Sequence, residues 1–340
     1  MSGVRTTAER ATVVGAGSWG TAFSMVLADA GLDVRLWARR AALADAITQT
    51  HRNPDYLPDV ELPPTITATS DIEESLEDTD LVVLALPAQK LRASLADWRD
   101  HLPGGSVLVS LAKGIELKSG LRMSEVILEA TGIENERLAV VSGPNLAREI
   151  AARQPAAGVV ASSRQETADL VAGACASRAF RPYTSTDVVG CEIAGATKNV
   201  IALAVGAAEG IGLGDNTKST VITRGLAETL RLGVALGADP ATFSGLAGVG
   251  DLIATCMSPL SRNHRVGVGL GRGGTLADVV ADIGQTAEGV TSCESVLALA
   301  ASAGVEVPIV ESVVAMVVDG QRPELIADAL MTRELKRETR

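Results

Sequence analysis

VVGAGSWG, residues Val13 to Gly20, decides how the rest of the chain is read. Gly15, Gly17 and Gly20 stand in the GxGxxG spacing between a β-branched run and a segment of helical periodicity, Thr21 to Ala30. In a strand-turn-helix unit the first glycine permits the tight turn, the second lets backbone approach a pyrophosphate, and the third lets the helix pack on the strand. A helix beginning there offers free N–H groups and a positive dipole end to phosphate. Alone the spacing could be a plain glycine turn; its place directly after a first strand argues for a dinucleotide cradle.

Working outward, short apolar runs recur through the first half: ATVVG from Ala11, VRLWA from Val34, TITAT from Thr65, LVVLAL from Leu81, SVLVSLA from Ser106, LAVVS from Leu138 and GVVAS from Gly158. Segments of helical spacing separate most of them, and strands alternating with helices imply a parallel sheet covered on both faces. Beyond about Gly190 the pattern changes to long helical segments rich in Ala, Leu, Val and Gly: Cys191 to Glu209, Thr217 to Gly237 and Gly289 to Gly304. The expected architecture is an α/β, Rossmann-like domain with a mostly parallel sheet over residues 1–190, followed by an all-α domain over 191–340. A chain of 340 residues is long enough for two such cores, and a cleft between them is expected.

The strand VRLWARR ends in Arg39 and Arg40, where an NAD-selective site places an acid against the ribose 2′-hydroxyl. Arginine there suits a 2′-phosphate, so NADPH is expected to serve at least as readily as NADH. The alternative is a solvated pair of charges at a strand end.

The chemistry-bearing residues lie farther on. In CEIAGATKNVIALAVG, Cys191 to Gly206, Lys198 has only Ala194, Gly195, Ile201 and Ala202 at three and four positions either side, none able to pair with an ammonium. Either its stem covers apolar surface while the amine reaches water, or the amine is held in a cleft where partial burial lowers its pKa for proton transfer. Lys113 follows a strand at the carboxyl edge of the sheet, where doubly wound folds bind ligands, although a lysine before glycine can be a turn residue. VVSGPN, from Val140, brings a sharp turn at Gly143 and Pro144 to the same edge, or is an ordinary loop. GLAGVGDLIATCMSPLSRNHR, Gly245 to Arg265, holds Asp251 and then Ser261, Arg262, Asn263, His264 and Arg265. Hydroxyl, guanidinium and amide donors so close together make a phosphate seat; the same composition also fits a capped helix start with a solvated face.

A formal net charge of −11 and 2% aromatic residues leave neither the basic surface nor the stacking groups of a nucleic-acid binder. The four cysteines form no CxxC pair, so a zinc site or redox dithiol has little support and free buried thiols are expected. MSGVRTTAER has no apolar signal core, and no uninterrupted apolar run reaches the roughly 18 to 20 residues of a membrane span. A cytoplasmic protein with a short, polar, frayed start is expected.

GAGSWGTA, LAKGIE, SGPNLARE, CEIAGATKNVIALAVG, GDNTKS and GLAGVGDLIATCMSPLSRNHRVG, with NPDYLP at Asn53 and QTAEGV at Gln285, together resemble the bacterial type of NAD(P)-dependent glycerol-3-phosphate dehydrogenase. The resemblance runs in order from about Ala11 to Arg333. It implies interconversion of dihydroxyacetone phosphate and sn-glycerol 3-phosphate with NAD(P)H, supply of the backbone of membrane phospholipids, and a homodimer through the helical half. By position it makes Lys198 the general acid/base and Lys113 a residue shared by cofactor and substrate. Gly143, Asn145, Asp251, Ser261, Arg262 and Asn263 match substrate positions, with Arg262 also near the cofactor. Ser18, Trp19, Arg39, Ala147 and Glu288 match cofactor positions beside the glycine loop. Asn145 and Leu146 depart from the family's more usual hydroxyl residue and phenylalanine, although asparagine keeps a hydrogen-bonding group. In this reading Asp251 orients the Lys198 amine. Two rival readings are a lysine-dependent reductase of another keto or hydroxy acid, which would lack the Ser-Arg-Asn seat, and a non-catalytic NADPH sensor, which would need no amine in an apolar cleft.

Overall fold

A computed structural model describes residues 7–285 and 287–325. The first six residues of the polar start, Thr286 of QTAEGV and the tail 326–340 lie outside the described residues. The first half forms one eight-stranded sheet: β1 (Arg10–Val14), β2 (Asp33–Trp37), β3 (Ile66–Thr69), β4 (Leu81–Leu84), β5 (Val107–Ser110), β6 (Leu138–Ser142), β7 (Ala156–Ser162) and β8 (Phe180–Ser185). Their spatial order is β3-β2-β1-β4-β5-β6-β7-β8. Every neighbouring pair is parallel except β6 with β7, which turns back after the short helix Ala147–Ala151 instead of crossing over the sheet. The order reverses at β1, which pairs with both β2 and β4, so a crevice opens at the carboxyl ends of these strands, where the glycine loop follows β1.

All seven expected runs are strands. The eighth, FRPYTS, carries Arg, Pro and Thr in place of an apolar run. It lies at the sheet edge, where proline need not donate to a ladder, which is why apolar periodicity does not reveal it. The first helix spans Ser18–Asp29 and so begins three residues earlier than expected, with Gly20 inside its first turn.

The second half is helical. Its axis is the central helix Val188–Gly210, which starts ahead of residue 191 and is buried along most of its length. Around it lie the helices Asp215–Ala235, Asp251–Met257, Arg262–Gly271, Glu288–Ser302 and Pro308–Val317. The central helix is long and apolar enough to cross a membrane, with mean hydropathy 1.5, but 83% of that stretch is buried inside the protein. A helix apolar all round is a core helix when other helices enclose it.

Four glycines let the central helix and Arg262–Gly271 cross in backbone contact. A Cβ at Gly206 would lie 2.1 Å from the His264 carbonyl oxygen, and one at Gly267 2.2 Å from that of Leu203. Gly210 and Gly271 lie one turn farther on in their helices, with 2.5 Å to the carbonyls of Val268 and Ala207. Neither backbone can yield without moving a helix. Gly206→Ala is therefore expected to cost about 3 kcal/mol, the upper end of ordinary overpacking. Gly104→Ala, whose Cβ would meet nothing within 4 Å, is the neutral control. Urea unfolding of both variants checks this, and equal midpoints would show that the crossing relaxes freely.

Candidate active site

The crevice is a cavity of about 1090 Å³ running from the glycine loop past Arg39 and Arg40 to Lys113, Lys198, Arg262 and Glu288. Its first end has the geometry of a phosphate cradle. Gly15 has φ +120°, and a Cβ there would lie 2.5 Å from the Ala85 carbonyl oxygen. A Cβ at Gly20 would lie 1.9 Å from the Gly15 oxygen, so the helix packs directly on the turn. At Gly17 nothing lies within 4 Å, which leaves open space where backbone must approach a ligand. Gly17 caps the helix without any side-chain bond, so the first-turn N–H groups at Ser18, Trp19 and Gly20 are left for an anion. The Trp19 indole Nε1 is also buried without a hydrogen-bond partner among the described residues. These observations fit a bound dinucleotide.

Asn53, the first residue of NPDYLP, supports the glycine loop. Fully buried, it donates to the Ala16 carbonyl at 3.0 Å and to Thr21 Oγ1 at 2.8 Å, tying the loop to the start of the helix. The signal available was a lone Asn in NPDYLP; its partners lie 32 and 37 residues away, so spacing does not reveal them.

Arg39 and Arg40, both exposed, stand on the cavity wall at the end of β2. They are not equivalent. Arg40 is ion-paired with Asp55, whereas Arg39 makes no ion pair among the described residues and is the freer guanidinium for a 2′-phosphate.

At the other end, the Lys198 side chain is only 9% exposed, which overturns the reading in which its amine reaches bulk water. Its ammonium donates to Asp251 Oδ1 and, at 2.8 Å, to Thr255 Oγ1. Lys113 Nζ donates to the other oxygen of the same carboxylate at 2.7 Å and to the Gly143 carbonyl at 3.2 Å. One fully buried carboxylate thus holds two ammonium groups side by side. Burial is the largest influence on Lys198 and brings its pKa down to about 7; Asp251 opposes the fall and the Lys113 charge adds to it. Asp251 reaches this position because a π-helical turn, Leu246–Gly250, runs straight into its helix, a local irregularity often found at functional sites. Thr255 was not anticipated. It lies four residues after Asp251 on one helix face, a spacing that could have found it. The thiol of neighbouring Cys256 is pushed up to about 12 by burial, which keeps it unreactive.

The Ser261 cluster satisfies both of its sequence readings. Ser261 is the N-cap of Arg262–Gly271, accepting from the His264 N–H at 3.3 Å, and the helix start also borders the cavity. Arg262 has open surface in the cleft, yet surrounding protein lowers its pKa from the ordinary arginine value, with Glu288 opposing. Burial likewise raises the Glu288 carboxyl, which accepts from the Ala88 N–H at 3.4 Å and is held down by Arg262. Asn263 is engaged within the protein. Its amide donates to Asn199 Oδ1 and accepts from the Gly289 N–H, both at 2.9 Å, joining three helices. Asn145 is the reverse case, since both polar atoms of its amide are buried, without a hydrogen-bond partner among the described residues, and its side chain is on the cavity wall. Ala147 is on that wall too.

Of the expected site residues, only Gly143 and Asp251 are not on the wall. They lie behind Lys113 and Lys198, and Gly143 has the positive φ of +113° that its turn requires.

The chain matches the family model for the NAD-dependent glycerol-3-phosphate dehydrogenase N-terminus over residues 10–168. It matches the model for the C-terminus of the same family over residues 187–328. A protein of Streptomyces coelicolor named glycerol-3-phosphate dehydrogenase (NAD(P)+) is 62% identical over 97% of this chain and 98% of its own. One of the same name from Thermobifida fusca is 56% identical over 97% and 98%. The crystal structure of glycerol-3-phosphate dehydrogenase from Coxiella burnetii superposes with a TM-score of 0.91 at 33% identity, covering 97% of this chain and 100% of that one. A 2-dehydropantoate 2-reductase from Geobacter metallireducens, 16% identical with a TM-score of 0.60 over 92% and 100%, shares the fold alone.

Proposed function

The chain belongs to the NAD-dependent glycerol-3-phosphate dehydrogenase family and interconverts dihydroxyacetone phosphate and sn-glycerol 3-phosphate with NAD(P)H, and we propose the following roles for its residues. The glycine loop and the N–H groups of Ser18 to Gly20 hold the pyrophosphate, and Arg39 faces the 2′-phosphate when NADPH is used. When bound, the nicotinamide supplies the hydride exchanged with C2 of the substrate. Ser261 and Arg262, with the free N–H groups of their helix start, seat the substrate phosphate. That seat lies apart from C2, so its binding energy serves to align the carbonyl. Asn145 offers its unpartnered amide to a substrate hydroxyl. Lys198 gives its proton to the oxygen at C2 during reduction and takes it back during oxidation, while Asp251, Thr255 and Lys113 hold the amine in place.

The observation that carries this reading is the buried ammonium pair over Asp251, which a protein that only sensed NADPH would not need. A pKa near 7 predicts opposite pH profiles for the two directions. Reduction needs the protonated amine and falls as pH rises through about 7; oxidation needs the neutral amine and falls as pH drops through the same value. Initial rates in both directions check this, and profiles with the same slope would count against Lys198.

The direct test of the reaction follows loss of reduced-nicotinamide absorbance with dihydroxyacetone phosphate, using NADPH and then NADH, and dihydroxyacetone as control. Turnover that needs the phosphate is expected, at least as fast with NADPH; turnover of unphosphorylated keto acids would favour the rival reductase reading. On the same family ground we propose that the product feeds glycerophospholipid synthesis in the cytoplasm. We also propose that the helical half pairs two copies, which the exposed Ile253 and Met257 support.

A further inference from the structure

Six residues before Lys198 on the central helix, Glu192 is a buried carboxylate outside the reaction just described. Its side chain is 4% exposed, and both oxygens are taken by the start of the helix Met123–Thr131. Ser124 gives its backbone N–H at 2.7 Å and its hydroxyl at 2.5 Å, and Arg122 gives Nη1 at 2.7 Å. Arg122 is steadied in turn by Glu125 at 2.8 Å. Arg122 closes the segment 111–122, which leaves β5, carries Lys113 and returns through a bridge between Ile115 and Arg122. The segment has further polar ties: Arg92 to Glu116 at 2.9 Å, the Gln89 amide to the Ile115 carbonyl at 2.8 Å and from the Leu117 N–H at 3.0 Å, and Ser295 Oγ to the Ile115 carbonyl at 2.9 Å. None of these four reaches the helix that bears Lys198. Ile115 shares an apolar cluster with Ile193 and Ala196 of that helix, and the Glu192 clamp adds a polar grip; the fit there is close, since a Cβ on Gly195 would lie 3.4 Å from Lys113 Cγ.

We propose that Glu192 is a positioning residue: by gripping Arg122 and Ser124 it holds the Lys113 segment against the central helix and fixes the spacing of the Lys113 and Lys198 ammonium groups over Asp251. This rests on the acid/base reading of Lys198 for its catalytic consequence, though not for its geometry. The groups facing Lys198 are Asp251, Thr255 and Cys256 from one helix and Lys113 from the segment; those facing Glu192 are Arg122, Ser124 and its own neighbour Cys191.

Because the Lys113 charge depresses Lys198, a retreat of the segment raises the Lys198 pKa. It also leaves Asp251 to Lys198 alone, which acts in the same direction. Deleting the Glu192 charge without any movement would act the other way, since losing a carboxylate disfavours an ammonium. The sign of the shift therefore separates positioning from direct electrostatics.

The test is competitive acetylation of the full-length protein with trace acetic anhydride across pH, read for Lys198 by mass spectrometry, in wild type, Glu192→Gln and Ser124→Ala. Lys198 lines the cavity, so a small reagent reaches it. The midpoint is expected to rise by about half a pH unit or more in both variants, with the reduction profile moving alongside it. Ser124→Ala keeps every charge and decides the matter if Glu192→Gln does not fold. Midpoints unmoved in both, or a downward shift in Glu192→Gln alone, would overturn the proposal. Retained turnover in Lys198→Met would instead sink the catalytic reading of Lys198, while the acetylation midpoints would still decide the clamp.

Discussion

Lys198→Met is expected to lower turnover by roughly 10²- to 10⁴-fold in both directions while leaving NADPH affinity unchanged. Methionine keeps the length of the stem and its packing in the apolar wall, so the loss isolates the proton-carrying group. The geometry supports this expectation. Lys198 is the buried group with a pKa near 7 that reaches the cavity wall, and it is aimed by Asp251 and Thr255. A general acid works best when its pKa lies near the working pH, because it is then both available and willing to give up its proton. The variant would also leave Asp251 with Lys113 as its remaining cation, so a thermal melt must accompany the kinetics. A correctly folded variant with most of its activity would show that the proton comes from elsewhere.

Arg262→Ala is expected to lower kcat/KM for dihydroxyacetone phosphate by roughly 30- to 5,000-fold, the range for removing one partner of a close, desolvated charge pair. Two features support the proposal that it binds the substrate phosphate. It follows the capping Ser261 at a helix start on the cavity wall, and Glu288 supports its charge without an ion pair between the two among the described residues. Arg262→Lys should recover only part of the loss, because an ammonium cannot make two parallel bonds to a phosphate. Affinity for NADPH, which does not involve the substrate phosphate, should change far less than kcat/KM for dihydroxyacetone phosphate. If NADPH affinity fell as much as kcat/KM, Arg262 would act on the cofactor or on the fold, and the seat would lie elsewhere.

The two variants probe opposite ends of what the sequence made legible. GAGSWG declared itself because each glycine answers a local constraint: a positive φ at Gly15, open space at Gly17 and close packing at Gly20. The inner strands β4, β5 and β6 were equally plain, since a strand buried on both faces must be apolar throughout. Nearer one edge, β2 and β3 still showed as short β-branched runs, whereas FRPYTS at the other edge carries Arg, Pro and Thr and so shows no apolar run. The same holds within the site. Ser261 and Arg262 are adjacent and were found as a cluster. Thr255 lay within reach of a helical-spacing argument, whereas Asn53 acts on residues far away in the chain.

The sequence by itself determined the doubly wound half, the helical half and the glycine loop between β1 and the first helix, because these rest on local periodicity and on turns that only certain residues make. Only the tertiary structure decided what Lys198 is. Its helical neighbours offer it nothing, and its partners come from 53 and 57 residues farther along the chain. Lys113 reaches the same carboxylate across 138 residues. A pKa is set by burial and by charges within a few ångströms, and those distances exist only once the sheet, the segment after β5 and the central helix have packed together.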